Sequence, residues 1–199
     1  RSEGQITKSS PLGVLDDPFN PASLLLGAGA SFVARAYDKD AKMMRHIFER
    51  AAKHKGFAFV ESYANCVIFN EGAFDKYTKK GEREEHSVYL EQGRPLVFGL
   101  KEEKGIKLDG FKPIVVSLED GSHSKDDLLI HDEHDETLAF ILANMTYNPE
   151  LPRPMGIFKD VERPTYEEKV VQQIEYHESH AADTSIQHLM NGEDSWDIN

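Results

Sequence analysis

Ser31-Phe-Val-Ala-Arg-Ala-Tyr-Asp-Lys-Asp40-Ala-Lys-Met-Met-Arg-His-Ile-Phe-Glu-Arg50-Ala-Ala-Lys-His-Lys-Gly56-Phe-Ala-Phe-Val-Glu-Ser-Tyr63 reads as strand, helix, strand. Ser31 to Tyr37 alternates as a buried strand does. Asp40 is placed to cap the helix that follows, in which Met43, Met44, Ile47, Phe48 and Ala51 form an apolar stripe at helical spacing. Lys53, His54 and Lys55 suit its C-terminal dipole, Gly56 supplies the stop, and Phe57 to Tyr63 is the next strand. Upstream, Asn20 followed by Pro21 is a helix start. Ala22 to Leu26 forms a short helix, which Gly27 and Gly29 end. Helix, strand, helix, strand is the rhythm of a parallel α/β sheet.

The texture changes after Asn70. Residues 71–85 are charged and predict a short helix and a turn, and Arg94 to Leu118 predicts short strands with turn signals at Lys104-Gly105 and Asp109-Gly110. Asp120 to Glu136 reads as a polar loop, Thr137 to Met145 as an amphipathic helix and Asn148 to Pro154 as an extended proline-rich segment. A helix is expected from Tyr166 to about His180, then a frayed end. Two domains follow: 1–72 as an α/β portion and 73–199 as an appended extension.

Composition narrows the function classes. The 199 residues are 39% hydrophobic and 29% charged, with a formal net charge of −12. So negative a chain is a poor partner for nucleic acid or an anionic membrane surface. No apolar stretch approaches the roughly 20 residues a membrane helix needs. One cysteine excludes a disulfide-stapled secreted scaffold, and the expectation is a soluble cytoplasmic protein. The chain opens on polar residues without a methionine, so it reads as a fragment or as N-terminally processed.

Cys66 ends an apolar strand-like run, in Asn65-Cys66-Val-Ile-Phe-Asn70. On its own it reads as a small buried hydrophobe. Gly27-Ala-Gly29 is no dinucleotide fingerprint, because it follows a helix and opens a strand; tight helix–strand packing explains it. His131 and His134 among four carboxylates, and His177 with His180 on a helix, are the remaining metal candidates, and dipole complementation and chance spacing explain them better.

Taken jointly and in order, Pro18-Phe-Asn-Pro21, Gly27-Ala-Gly-Ala30, Phe32-Val-Ala-Arg35, His54-Lys-Gly56, Cys66-Val-Ile-Phe-Asn70, Arg153-Pro-Met-Gly-Ile-Phe158 and Arg163-Pro-Thr-Tyr166 resemble the β subunit of 2-oxoacid:ferredoxin oxidoreductases. The resemblance runs from about Ser9 through Glu168. Val-x-Phe-Asn after the cysteine is similar to the 2-oxoglutarate and broad 2-oxoacid types, whereas pyruvate-type subunits usually continue with Pro and Gly-Trp.

The resemblance implies the second half of a thiamine diphosphate-binding parallel-sheet α/β domain with a C-terminal α+β extension that contacts other subunits. It implies decarboxylation of a 2-oxoacid on thiamine diphosphate held through Mg2+, electrons passing through a [4Fe-4S] cluster to ferredoxin, and coenzyme A taking the acyl group. An α (or α plus γ) subunit is the implied partner. Cys66 corresponds to the family's late cluster cysteine; Asn70 and Asn20 are expected to order the loops around the cofactor, and helix capping explains Asn20 equally well. The family usually carries Pro where this chain has Asn65, which adds a backbone donor beside the thiol. The family's cysteine-rich segment, Gly-Asp-Gly magnesium motif and Ser-Pro-Thr loop are not in residues 1–199. The chain is therefore expected to be a C-terminal half that is inactive alone and leaves the cofactors mainly to the other half. The alternative is a non-catalytic acidic α/β module that docks on a partner subunit.

Overall fold

A computed structural model describes residues 4–7, 9–68, 70–180, 185–191 and 196. Two compact units divide at the Arg163–Pro164 bond. The first holds a four-stranded sheet in the order β2-β1-β7-β3 and a three-stranded sheet in the order β4-β5-β6.

The strand–helix–strand reading sets the centre of the first sheet. β1 (Phe32–Tyr37) and β2 (Ala58–Tyr63) pair parallel in continuous register, and all six β1 residues are buried. Side chains alternate across a strand, so Phe32, Ala34 and Ala36 face α2 (Ala41–Lys53) and pack on Ile47. Val33, from the other face, joins a core with Ala22 of α1 (Pro21–Gly27) and with Leu138, Leu142 and Ala143 of α5 (Glu136–Asn144). Both predicted caps form: Asn20 Oδ1 accepts from Ser23 N at 3.3 Å, and Asp40 Oδ1 from Met43 N at 2.9 Å. The α2 stripe is narrower than its sequence suggests, since Phe48 is 46% exposed.

The rest of the sheet comes from strands the punctuation of the sequence hides. β7 (Arg153–Asp160) pairs antiparallel with β1 and parallel with β3 (Ser87–Leu90), so the α/β sheet is mixed. Pro154 and Gly156 lie inside β7, where such residues normally argue against a strand. Gly156 has φ +126°, and a Cβ there would lie 2.8 Å from the Leu90 carbonyl oxygen, so glycine is what allows the close pairing. The sheet thus draws strands from both sides of residue 72.

Between β2 and β3 lie α3 (Asp75–Thr78) and α4 (Glu82–His86). β4 (Val97–Phe98), β5 (Lys104–Asp109) and β6 (Lys112–Ser117) form the second sheet, antiparallel throughout. The Asp109-Gly110 turn is present, with φ +60° at Gly110. Lys104-Gly105 is a correction: it lies in β5, where a Cβ on Gly105 would collide with Leu128. Here glycine marks close packing rather than a turn.

The second unit contains α6 (Tyr166–His180) and α7 (Ile186–Asn191). Thr165 and Glu168 form a reciprocal capping box, at 3.0 and 3.2 Å, that starts α6. Of the end read as frayed, α7 is helical, and residues 181–184, 192–195 and 197–199 lie outside the described residues. No helix among the described residues is long and apolar enough to cross a membrane.

Candidate functional site

Cys66 lies three residues beyond β2, where the chain leaves the sheet, and its side chain is exposed. It is therefore no buried small hydrophobe. Asn70 N donates to Cys66 O at 2.9 Å, and the two residues form an isolated bridge that closes a five-residue loop. Asn65 pins the same loop: its Oδ1 accepts from Gly72 N at 2.9 Å. The backbone donor that a proline would lack is directed at Asp38 Oδ2, 3.4 Å away.

Asn70 also reaches a cleft of about 500 Å³, where Asn20 joins it. Asn70 Oδ1 accepts from Gln5 Nε2 at 2.8 Å, and Asn20 Nδ2 donates to Ala143 O at 2.9 Å. The structure therefore brings the two asparagines to one cavity, with both ends of the Asn20 amide engaged inside the chain.

The cleft's electrostatics come from residues the sequence reading passed over. Arg35, fully buried in β1, donates through Nε to Glu61 Oε2 at 2.7 Å and through Nη1 to Thr146 Oγ1 at 3.2 Å. Its guanidinium lies 5.4 Å from the Tyr63 ring centroid and 5.0 Å from that of Phe158. Arg153 donates to Tyr63 Oη at 3.2 Å and Tyr77 Oη at 3.0 Å. Burial raises the Tyr63 phenol pKa against the opposing pull of Arg35, keeping it a neutral hydroxyl. A signal for these residues was present. An arginine inside Phe32-Val-Ala-Arg-Ala-Tyr37 demands a partner, and Glu61 stands at its register position on the parallel neighbour.

The other candidates disperse. His131 is buried with Nε2 2.8 Å from the Ile157 carbonyl, Glu133 pairs with Arg50 at 2.7 Å, and Glu136 with Lys159 at 2.6 Å. His180 stacks on Tyr176 at 4.2 Å. No group of three metal-ligating side chains exists among the described residues.

A Ser–His–Asp constellation is present. His54 Nδ1 lies 2.7 Å from Asp160 Oδ1, and Nε2 lies 2.9 Å from Ser31 Oγ. Its chemistry fails on access: Ser31 is 2% exposed, and its hydroxyl donates to the Phe57 carbonyl at 3.0 Å. The triad joins the start of β1, the end of α2 and the end of β7, with Arg50 also on Asp160. It is a structural clasp.

Comparison with known proteins points to one family. The chain is 37% identical over 98% of its length to the 2-oxoglutarate oxidoreductase subunit KorB of Mycobacterium tuberculosis. It is 35% identical over 77 residues to the 2-oxoacid:ferredoxin oxidoreductase subunit beta of Saccharolobus solfataricus, covering 39% of this chain and 25% of that one. Along nearly its whole length the chain is similar to a β subunit of the 2-oxoacid:ferredoxin oxidoreductases. It spans about half of the mycobacterial relative, 52%, and matches that protein's C-terminal half. The fold is shared with a 2-oxoglutarate:ferredoxin oxidoreductase from Magnetococcus marinus, solved with 2-oxoglutarate, coenzyme A and succinyl-CoA bound. The TM-score is 0.60 at 19% identity, over 94% of this chain and 49% of that one. No family model matches.

In this family setting the exposed Cys66 thiol fits one ligand position of a cluster and no more. Such clusters take four thiolates, and this chain has a single cysteine.

Proposed function

We propose that this chain is part of the β subunit of an oxidoreductase that converts a 2-oxoacid, 2-oxoglutarate above all, to its acyl-coenzyme A and CO2 and passes electrons to ferredoxin. The observation that carries the reading is the 37% identity to KorB along nearly the whole chain, joined to an exposed thiol on a tight, side-chain-pinned loop. Thiamine diphosphate with Mg2+ supplies the decarboxylating carbanion chemistry, and a [4Fe-4S] cluster the one-electron path. Residues other than those described here hold the thiamine diphosphate. Cys66 contributes one thiolate to the cluster, and the Cys66–Asn70 bridge fixes its direction. Asn70 and Asn20 order the walls beside the cofactor. Residues 73–199 supply contacts to an α (or α plus γ) subunit, and residues 1–199 alone are inactive.

The test is Cys66→Ser in the full subunit co-purified with its partner. Iron content and ferredoxin reduction are expected to collapse while the fold persists. Full iron content with wild-type ferredoxin reduction would overturn the assignment.

A further inference from the structure

The charges around the Asn20–Asn70 cleft do not balance. Two guanidiniums line it, Arg35 and Arg153, and one carboxylate, Glu61, answers them. Arg35 gives Nε to Glu61, while its buried Nη2 has no hydrogen-bond acceptor. Arg153 meets only neutral hydroxyls among its described hydrogen-bond partners, those of Tyr63 and Tyr77. A buried N–H without an acceptor is a cost the fold normally removes. Arg35 and Arg153 line this cavity in a chain whose net charge is −12, so the local excess of positive charge runs against the global sign.

The arginines are also held still. Their guanidinium carbons lie 5.4 and 5.8 Å from the Tyr63 ring centroid, and Arg153 is 4.6 Å from the Tyr77 centroid. Planar donors fixed in this way lose little freedom on meeting a planar or tetrahedral oxyanion.

We infer that the cleft formed by Arg35, Tyr63, Asn70, Tyr77, Thr146 and Arg153 is a binding site for the oxyanion of a small ligand, a carboxylate or a phosphate group. The inference rests on this cleft alone and does not require Cys66 to hold a cluster. Arg153 makes the direct contact. Arg35, fully buried, supplies the second positive charge and the unanswered N–H behind it.

The experiment titrates the full-length protein by calorimetry with succinate and, separately, with inorganic phosphate, at low and raised sodium chloride. Saturable binding of at least one probe is expected, and the better probe identifies the oxyanion. Arg153→Gln is expected to weaken it about tenfold or more, the size of one charge-assisted pair, while Lys42→Gln, outside the cleft, leaves it unchanged. Should Arg153→Gln fail to fold, Tyr77→Phe removes one of the hydrogen bonds that orient Arg153 and is expected to weaken binding a few-fold. No saturable binding of either probe, or binding equal in wild type and the cleft variants, overturns the inference. So does a cleft found filled by an acidic side chain of a partner subunit.

Discussion

Two regions of this chain carry groups capable of chemistry, and access separates them. The Ser31–His54–Asp160 triad has the nucleophile, base and orienting carboxylate of a hydrolase, all within hydrogen-bonding distance. It is buried, and its hydroxyl proton is directed at a main-chain carbonyl. The Cys66 loop offers one reactive atom, a thiol sulfur, and it is exposed where the chain leaves the parallel strands. Ligands of α/β sheets collect at such strand ends. Side-chain type and spacing favour the first region, and access favours the second.

Substitutions at the two regions should therefore fail in different ways. Cys66→Ser in the assembled enzyme is expected to abolish most ferredoxin reduction, while the iron-depleted variant keeps the thermal midpoint of the iron-depleted wild type within about 1–2 °C, because an exposed position contributes little to stability. A midpoint drop matching the activity loss would make Cys66 structural. Asp160→Ala should do the reverse. Leaving His54 and one arm of Arg50 without their carboxylate costs about 3 kcal/mol, or roughly 6–12 °C in a chain of this size, seen by calorimetry. Gly156→Ala probes the strand that closes the clasp. With φ +126° and a 2.8 Å approach to the Leu90 carbonyl, it should cost about 2 kcal/mol in denaturant unfolding.

A smaller effect separates the buried region by pH. Burial pushes the His131 imidazole below its ordinary 6.5, against the pull of the Ile157 carbonyl. The unfolded chain then binds the proton first, so stability is full above about pH 6.5 and falls as pH drops through that value. His131→Gln should flatten the fall in stability below about pH 6.5, measured by urea unfolding across the acid range. An unchanged slope would assign it to other histidines. The smallest expected effect is Asn65→Pro, which deletes the 3.4 Å bond to Asp38 and the Gly72 tether; the loop should loosen, read as faster amide exchange at Gly72.

The sequence made the centre of the sheet legible because its period and its punctuation agree. Asn20 and Asp40 cap where they should, and β1 and β2 align without a shift. β7 was hidden because Pro154 and Gly156 look like breakers, whereas the sheet uses Gly156 to bring two backbones together. Gly105 misleads the same way: it reads as a turn and lies inside β5 against Leu128. The asparagines and Cys66 were visible through family resemblance. The arginine cleft was not, because Arg35, Glu61 and Arg153 meet only after strands 26 and 118 residues apart are paired side by side. Parallel register for the first two was inferable; the placement of β7 was not.

The central claim is that Cys66 works because it is exposed at the cluster's edge. It is tested most directly by mass-spectrometric mapping of iodoacetamide labelling at Cys66, in the full-length assembled enzyme before and after removal of its iron. The thiol should be protected in the iron-loaded complex and alkylated once the iron is gone. Equal labelling in both states would contradict the account.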